Sequence, residues 1–191
     1  MKELNRPQVI LIAGGSCSGK SEFAKWFKNS VIIELDNFYK PKDQVPKDSE
    51  WGYNFDHPDA INIKEAADAL SLLLKNKKVI IPKYDFIVSE RVGKREISIN
   101  KKTKFVIMEG IFTFYSPLRE LAKIKIYLDT PTEVRVARRM IRDVKRKGRT
   151  KVEIMANFVH AERNYMKFIK PMKKYADLII PFSFNPVKFR S

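Results

Sequence analysis

The sequence predicts an α/β fold with a central, mainly parallel β-sheet, and three observations lead to this prediction. Short apolar segments rich in Val, Ile and Leu alternate with longer segments whose apolar residues recur at helical spacing. The apolar segments contain few polar interruptions, as expected of strands covered on both faces. A glycine-rich turn joins the first apolar segment to the first helical one. We therefore expect a sheet of about five strands flanked by helices.

This alternation predicts each element in turn. Apolar runs predict strands at residues 8–13, 31–36, 79–81, 104–108, 124–129 and 178–181. Helical periodicity predicts helices at residues 20–29, 63–76, 132–147 and 152–168, and Pro171 begins a further short helical piece. We expect a single domain spanning residues 1–191.

Two stretches interrupt the pattern. Residues 37–60 form a long polar and aromatic segment with three prolines, and loops of that length in a compact domain are usually functional or disordered. The aromatic residues of this segment favour a functional role. Charged residues around Gly93 lie between two β-prone pieces, so we expect a β-hairpin over residues 82–100 that projects from the sheet.

The composition limits the setting and the kinds of site. Hydrophobic residues make up 44% of the 191 residues, enough for a sizeable core, and Cys17 is the single cysteine. One cysteine excludes an internal disulfide framework and a Cys-based zinc site, and it fits a reducing cytosol. The apolar run at residues 9–13 is too short for a signal-peptide core or a membrane span. We therefore expect a cytoplasmic protein without membrane partners.

Residues 14–21 match the pattern G-x-x-x-x-G-K-[ST] in full, between a predicted strand and a predicted helix. Glycines allow the backbone to curl so that successive N–H groups point at phosphate oxygens. The lysine of this pattern reaches the β- and γ-phosphates, and its final hydroxyl suits Mg²⁺. The predicted phosphate loop consists of Gly14, Gly15, Ser16, Cys17, Ser18, Gly19, Lys20 and Ser21.

Three acidic residues are candidates for the chemistry. Asp36 ends the second predicted strand, where a carboxylate could take a proton from an attacking hydroxyl, or could instead cap a turn. Glu109 follows the strand at 104–108 and could help to hold Mg²⁺, or could lie in solvent. Asp56 could accept hydrogen bonds from ribose hydroxyls, or could be a solvated loop acid. His57 and His160 have no metal-ligand spacing around them, and we expect both to be structural.

The net charge of +16 points to a nucleic acid, an anionic membrane surface or a polyanionic small substrate such as ATP. Asp143 is the one acid among nine basic residues between positions 135 and 151. One helical face carries Arg135, Arg139, Arg142, Arg146 and Arg149, and another carries Val134, Ala137, Ile141 and Val144.

We expect this helix to be a lid over transferring phosphates, at residues 132–150. The alternative is a solvated charged helix, which would usually mix signs. A nucleic-acid-binding protein ranks lower, because the aromatic residues cluster away from the basic helix.

Together these motifs resemble the uridine kinase (uridine–cytidine kinase) family within the phosphoribulokinase-like group of P-loop kinases. The resemblance covers nearly the whole chain in order. It rests on GGSCSGKS at 14–21, ELDNFYK at 34–40, NFDHPDA at 54–60, PKYDF at 82–86, MEGIF at 108–112, YLDTP at 127–131, RRMIRD…KGR at 138–149 and KPMKKYADLIIP at 170–181.

The resemblance implies ATP-dependent phosphorylation of the 5′-hydroxyl of uridine or cytidine, with ATP (or GTP) and Mg²⁺ as cofactors. Asp36 would be the general base, and Ser21 and Glu109 would attend Mg²⁺. Lys20, Arg138 and Arg142 would contact the phosphates. The acceptor would be held by Tyr39, Phe55, Asp56, Tyr84, Phe86 and Arg139.

The sequence departs from the family pattern at two positions, 89 and 157, and keeps the family arginine at position 91. Ser89 stands where the family has a histidine that recognises the pyrimidine, Arg91 occupies the arginine position two residues later, and Asn157 stands at the usual glutamine. Because a pocket built around a polar edge discriminates through its hydrogen bonds, a kinase of the same fold with another small acceptor is the alternative. The family also implies a homo-oligomer, a dimer or tetramer, and no nucleic-acid partner.

Overall fold

The computed structural model describes residues 6–147 and 150–181. Its centre is a parallel five-stranded sheet of order β2-β7-β1-β8-β9. The strands are β1 (Gln8–Gly14), β2 (Ser30–Glu34), β7 (Phe105–Glu109), β8 (Ile124–Leu128) and β9 (Leu178–Ile180). This confirms the predicted α/β fold with five strands.

The central strand β1 is buried on both faces, which explains its uninterrupted apolar sequence. On one face Leu11 joins the larger core, which includes Leu70 of helix α2 (Ile63–Asn76). On the other face Ile12 packs with Ala24 of helix α1 (Lys20–Ala24). The carboxyl ends of β1, β2 and β7 therefore meet at one edge of the sheet, where open α/β sheets bind ligands.

The first helix is shorter than the prediction of residues 20–29, which was wrong at its end. After Ala24 the backbone turns through i→i−3 hydrogen bonds from Trp26 and Phe27, and Asn29 adopts a left-handed φ of 59° before β2. Phe27 still packs against the core from these turns, so the apolar pattern continued where the α-helix did not.

The later helices are α3 (Leu118–Leu121), α4 (Thr132–Lys147) and α5 (Lys151–Asn164). Helix α5 begins at a capping box, in which Thr150 and Glu153 satisfy each other's backbone N–H groups. It continues through a π-helical turn (Tyr165–Ile169) and a 3-10 segment (Lys170–Tyr175). No helix in the described part of the chain is long and apolar enough to cross a lipid bilayer.

The projecting hairpin consists of β5 (Lys78–Asp85) and β6 (Glu90–Ser98). It begins four residues earlier than predicted, so the strand predicted at residues 79–81 is the first part of the hairpin. Gly93 lies within β6, opposite Lys83 and beside a register shift, and the turn lies at residues 86–89. The segment at 37–60 contains the small antiparallel pair β3 (Lys47–Asp48) and β4 (Gly52–Tyr53).

Candidate active site

The phosphate loop follows β1, and its lysine side chain donates hydrogen bonds to carbonyl groups of the loop itself. Lys20 Nζ donates to the carbonyl oxygens of Gly14 (3.1 Å) and Gly15 (2.9 Å). Burial lowers the pKa of Lys20, while the nearby charges of Glu109 and Asp36 oppose that shift. A Cβ at Gly14 would lie 2.6 Å from the Leu128 carbonyl oxygen, so only glycine fits there. The ammonium group is thus positioned at the loop where phosphate oxygens bind in proteins with this motif.

Ser21 and Glu109 lie side by side. Ser21 Oγ donates to Glu109 Oε1 at 2.6 Å, and Glu109 is buried at the end of β7. Burial raises the pKa of Glu109, whereas the positive charge of Lys20 and the Ser21 hydrogen bond lower it. Among residues 6–147 and 150–181 no three His, Cys, Asp or Glu side chains group into a metal cluster. This hydroxyl–carboxylate pair fits Mg²⁺, which proteins bind through one or two carboxylates plus phosphate oxygens and water.

Asp36 lies in a 3-10 turn (Leu35–Phe38) directly after β2, and not in the strand itself as predicted. Its carboxyl group faces a cavity of about 540 Å³. Burial, reinforced by repulsion from Glu109, raises the pKa of Asp36 to about 7, although the charge of Lys20 opposes the shift. A carboxyl group with this pKa can exchange a proton near neutral pH.

The cavity brings together most of the predicted acceptor residues. It extends from the phosphate loop at Ser16 to the turn of the hairpin. The predicted residues that line it are Asp36, Tyr39, Phe55, Asp56, Tyr84, Phe86, Ser89, Arg139, Arg142 and Asn157.

One wall of this cavity is aromatic. The ring of Tyr39 lies 5.5 Å from that of Tyr84, 5.2 Å from that of Phe86 and 6.0 Å from that of Phe55. The Tyr39 hydroxyl also donates to the Phe55 carbonyl oxygen at 3.0 Å. A flat heterocycle would find π-faces and edges here, with Asp56 as an acceptor beside it.

Helix α4 forms the opposite wall. Arg139 and Arg142 line the cavity, and the buried carboxylate of Asp143 lies between them. Asp143 Oδ1 accepts from Arg142 Nε at 2.7 Å, and Asp143 Oδ2 lies 3.5 Å from Arg139 Nε. Arg138 donates to the carbonyl oxygens of Cys17 and Ser18 at 3.4 Å, so it lies against the phosphate loop.

The predicted arginine face is only partly a cavity wall. Arg135 is buried, donates to the Thr130 carbonyl oxygen and forms an ion pair with Glu162, so it anchors α4 and does not face the cavity. The side chain of Arg146 and residue Arg149 lie outside the described residues. The apolar stripe points away from the core, and 62% of Ile141 is exposed.

Arg91 does not line the cavity, contrary to its predicted contact with the acceptor. Its guanidinium group binds Glu65 of α2 and the carbonyl oxygens of Phe38 and Tyr39. Several lining residues were not among the predicted site residues. They are Trp51, Tyr53, Asp85, Ile87, Ile111, Asp143 and His160.

His160 is one of these unpredicted lining residues, since it was expected to be structural. Its ring lies 5.4 Å from that of Trp51, and its Nε2 is 3.1 Å from Asn164 Nδ2. The aromatic content of residues 37–60 was a signal for Trp51. The sequence contained no comparable signal for His160, because its partners come from a distant segment and from its own helix.

A parallel sheet, a complete phosphate loop and a carboxylate facing a cavity with an aromatic wall define a P-loop kinase that transfers a phosphate to a hydroxyl group. The model of the Phosphoribulokinase / Uridine kinase family matches residues 9–185, and the chain belongs to that family.

Similar proteins agree with this assignment. A uridine kinase of Clostridium botulinum (strain Kyoto / Type A2) is 38% identical over 187 residues, covering 93% of this chain and 89% of its own. A uridine kinase of Borreliella burgdorferi (strain ZS7) is 38% identical over 180 residues, covering 91% and 86%.

Two solved structures share the fold at low identity. The phosphoribulokinase of Rhodobacter spheroides is 16% identical, with a TM-score of 0.63 over 91% of this chain and 69% of its own. A Bacillus stearothermophilus protein described as a possible uridine kinase is 18% identical, with a TM-score of 0.63 over 92% and 89%.

Proposed function

We propose that this protein transfers the terminal phosphate of ATP to the 5′-hydroxyl of a pyrimidine nucleoside, uridine or cytidine. The observation that carries the proposal is the position of Asp36. Its carboxyl group faces a cavity that begins at Ser16 of the phosphate loop and ends at the aromatic wall. The uridine kinases at 38% identity support this choice of acceptor.

The chemistry follows from this arrangement. The Asp36 carboxylate accepts the proton of the acceptor hydroxyl while that oxygen bonds to the terminal phosphorus. The bond from phosphorus to the bridging oxygen breaks, and ADP leaves. Lys20, Arg138 and Arg142 balance the negative charge of the phosphate oxygens, in a cavity from which a bound acceptor excludes water.

Mg²⁺ would be held by Ser21 and Glu109 and would neutralise phosphate charge during transfer. The two residues supply one hydroxyl and one carboxylate oxygen, which leaves the remaining positions to phosphate and water. In the absence of the metal, burial and then repulsion from Glu109 raise the pKa of Asp36.

The acceptor is held by charge at its sugar end and by rings at its base end. Asp56 and Arg139 bind the ribose hydroxyls, since both line the cavity. Burial raises the pKa of Asp56, and the charge of Arg139 opposes that shift. Tyr39, Phe55, Tyr84 and Phe86 surround the base, with Ser89 and Asn157 as its polar neighbours. We further propose a cytoplasmic, homo-oligomeric enzyme.

A second candidate is a kinase of the same fold with another small alcohol as acceptor. It is favoured by Ser89 and Asn157, which line the cavity at the positions where the family pattern has His and Gln. A serine hydroxyl both donates and accepts, so it selects less sharply between a keto and an amino group.

The test is Mg²⁺-dependent ATP consumption with a panel of acceptors that includes uridine, cytidine, purine nucleosides and simple sugars. We expect the highest kcat/KM with uridine or cytidine. The control is Lys20→Ala, which should abolish consumption with every acceptor because the phosphate loop loses its cation. Turnover confined to a different acceptor would replace the first proposal with the second, and no acceptor-dependent turnover would contradict both.

A further inference from the structure

The side chain of Arg91 joins three separate parts of the site. It extends from β6 and lies outside the cavity. Its Nη1 and Nη2 donate to Glu65 Oε1 (3.0 Å) and Oε2 (2.7 Å), a bidentate ion pair with helix α2. Its Nε donates to the Tyr39 carbonyl oxygen (3.0 Å), and Nη2 also reaches that of Phe38 (3.4 Å).

These two carbonyl groups belong to the segment that carries the proposed base. Phe38 ends the 3-10 turn that contains Asp36, and the Tyr39 N–H donates to the Asp36 carbonyl oxygen. The Phe38 carbonyl oxygen also accepts from Asn62, the residue that caps α2. The position of the Asp36 backbone is therefore fixed against α2 and the hairpin together.

The same arginine also lies beside a residue of the aromatic wall. In the hairpin Arg91 is paired directly with Tyr84, whose ring contacts Tyr39 and Phe86 in the cavity. A shift of the hairpin would move Tyr84 relative to Tyr39, and Arg91 binds the backbone of Tyr39. One residue thus connects the strand that carries Tyr84 with the backbone next to the proposed base.

We propose that Arg91 and Glu65 form a clasp that positions the Asp36 turn and the hairpin as one unit, so that acceptor binding and proton removal share a single geometry. Neither residue lines the cavity, and the pair acts through Asp36, Tyr39 and Tyr84. The proposal deepens the proposed function and depends on it for its kinetic consequences, but not for its structural ones.

The planar guanidinium group is essential to this role. It donates at once to two carboxylate oxygens and two carbonyl oxygens, whereas a lysine ammonium is a compact charge without that fork. Glu65 keeps the guanidinium group oriented, since both of its oxygens are used. Loss of either partner should misplace the base by a fraction of an ångström, and errors of that size reduce turnover strongly.

The experiment compares four variants with the wild-type protein. We expect Glu65→Gln to lower kcat/KM for the acceptor roughly tenfold and Arg91→Lys roughly 10- to 100-fold, while the KM for ATP changes less than about twofold. The swap Glu65→Arg with Arg91→Glu restores an ion pair but not the donors to the Phe38 and Tyr39 carbonyls, so it should remain impaired. Lys64→Gln is the matched control, because it breaks the exposed Lys64–Asp68 pair of the same helix.

Amide hydrogen exchange separates this proposal from the proposed function. Exchange at residues 36–40 should accelerate in Glu65→Gln and not in Lys64→Gln, whether or not a nucleoside is the acceptor. If Glu65→Gln matches the control in both kinetics and exchange, or if the swap restores wild-type kinetics, the clasp is refuted. If the wild-type protein phosphorylates no nucleoside, the proposed function fails, and the exchange data alone decide on the clasp.

Discussion

The Ser21 hydroxyl donates a 2.6 Å hydrogen bond to Glu109 and so connects the end of the phosphate loop to the end of β7. The two residues are 88 positions apart in sequence, and the parallel pairing of β1 with β7 brings them together. The charge of Glu109 acts on Lys20, the residue that reaches the β- and γ-phosphates in proteins with this loop motif.

The first prediction concerns this pair. Glu109→Gln should raise the Mg²⁺ concentration for half-maximal turnover by roughly tenfold, because an amide oxygen binds a hard dication more weakly than a carboxylate does. The measurement is turnover against Mg²⁺ at saturating ATP. Glu22→Gln removes an exposed acid next to Ser21 in helix α1 and should leave the Mg²⁺ dependence of turnover unchanged. Equal Mg²⁺ dependence in Glu109→Gln and wild type would exclude Glu109 from the metal site.

Asp36→Asn should reduce turnover by about 10²- to 10⁴-fold, the range typical of a lost general base. ATP binding should remain nearly unchanged, since the phosphate contacts come from other residues. Steady-state kcat together with the Kd for ATP tests both statements. Near-normal turnover in this variant would remove Asp36 from the catalytic role.

The pKa of Asp36 also sets the pH dependence of the reaction. Because burial and Glu109 raise that pKa from 3.8 to about 7, the carboxyl group is largely protonated below pH 7 and cannot accept a proton. We expect kcat/KM for the acceptor to rise with pH through about 7 and to level off above it. A profile that stays flat down to about pH 5 would show that a group with an ordinary carboxyl pKa, or no group, acts as the base.

The raised pKa of Asp36 also predicts that its contribution to stability falls as the pH rises, whereas activity increases. The native carboxyl group keeps its proton at pH values where the unfolded one has lost it, so its contribution is present below pH 3.8 and disappears as pH rises through about 7. Asp36→Asn should therefore increase the free energy of unfolding at pH 8 by roughly 1–3 kcal/mol. One pKa unit corresponds to about 1.4 kcal/mol, and water in the cavity reduces the effect because it solvates the charged carboxylate. Urea unfolding at pH 5 and pH 8 measures the difference, and a variant less stable than wild type at pH 8 would contradict it.

Asp143 offers a prediction about helix α4. Its buried carboxylate lies between Arg139 and Arg142, so Asp143→Asn leaves two partly buried guanidinium groups without their counter-charge. We expect a loss of roughly 1–3 kcal/mol in unfolding free energy and a higher KM for the acceptor. Asp68→Asn, which breaks an exposed pair, should cost less than about 1 kcal/mol. Equal effects of the two substitutions would show that Asp143 has no special role.

Much of the fold and part of the site followed from the sequence. The central strands were predictable because burial on both faces leaves an unbroken apolar run, as in β1. The phosphate loop was predictable because its chemistry is local, with glycines, lysine and serine at fixed spacing. Asp36 and Glu109 were predictable as candidates because they lie at the carboxyl ends of parallel strands, where ligand sites form.

The remaining features depend on contacts that sequence spacing does not encode. The run at residues 79–81 resembles a sheet strand, but it packs on α2 as the start of the hairpin, so its apolar character had a different cause. Arg135 shares the spacing of the cavity arginines, but its contacts with the Thr130 carbonyl oxygen and with Glu162 on another helix make it an anchor. Arg91 was placed at the acceptor by family position alone, and its partner Glu65 lies 26 residues away.

The central claim is that a nucleoside 5′-hydroxyl receives the phosphate under the control of Asp36. The most direct measurement is ³¹P NMR of the products formed from ATP, Mg²⁺ and uridine by the wild-type protein and by Asp36→Asn. We predict ADP and uridine 5′-monophosphate in equal amounts with the wild type, and neither at a comparable rate with the variant. ADP with inorganic phosphate and no phosphate ester, or an ester formed equally fast by the variant, would contradict the account.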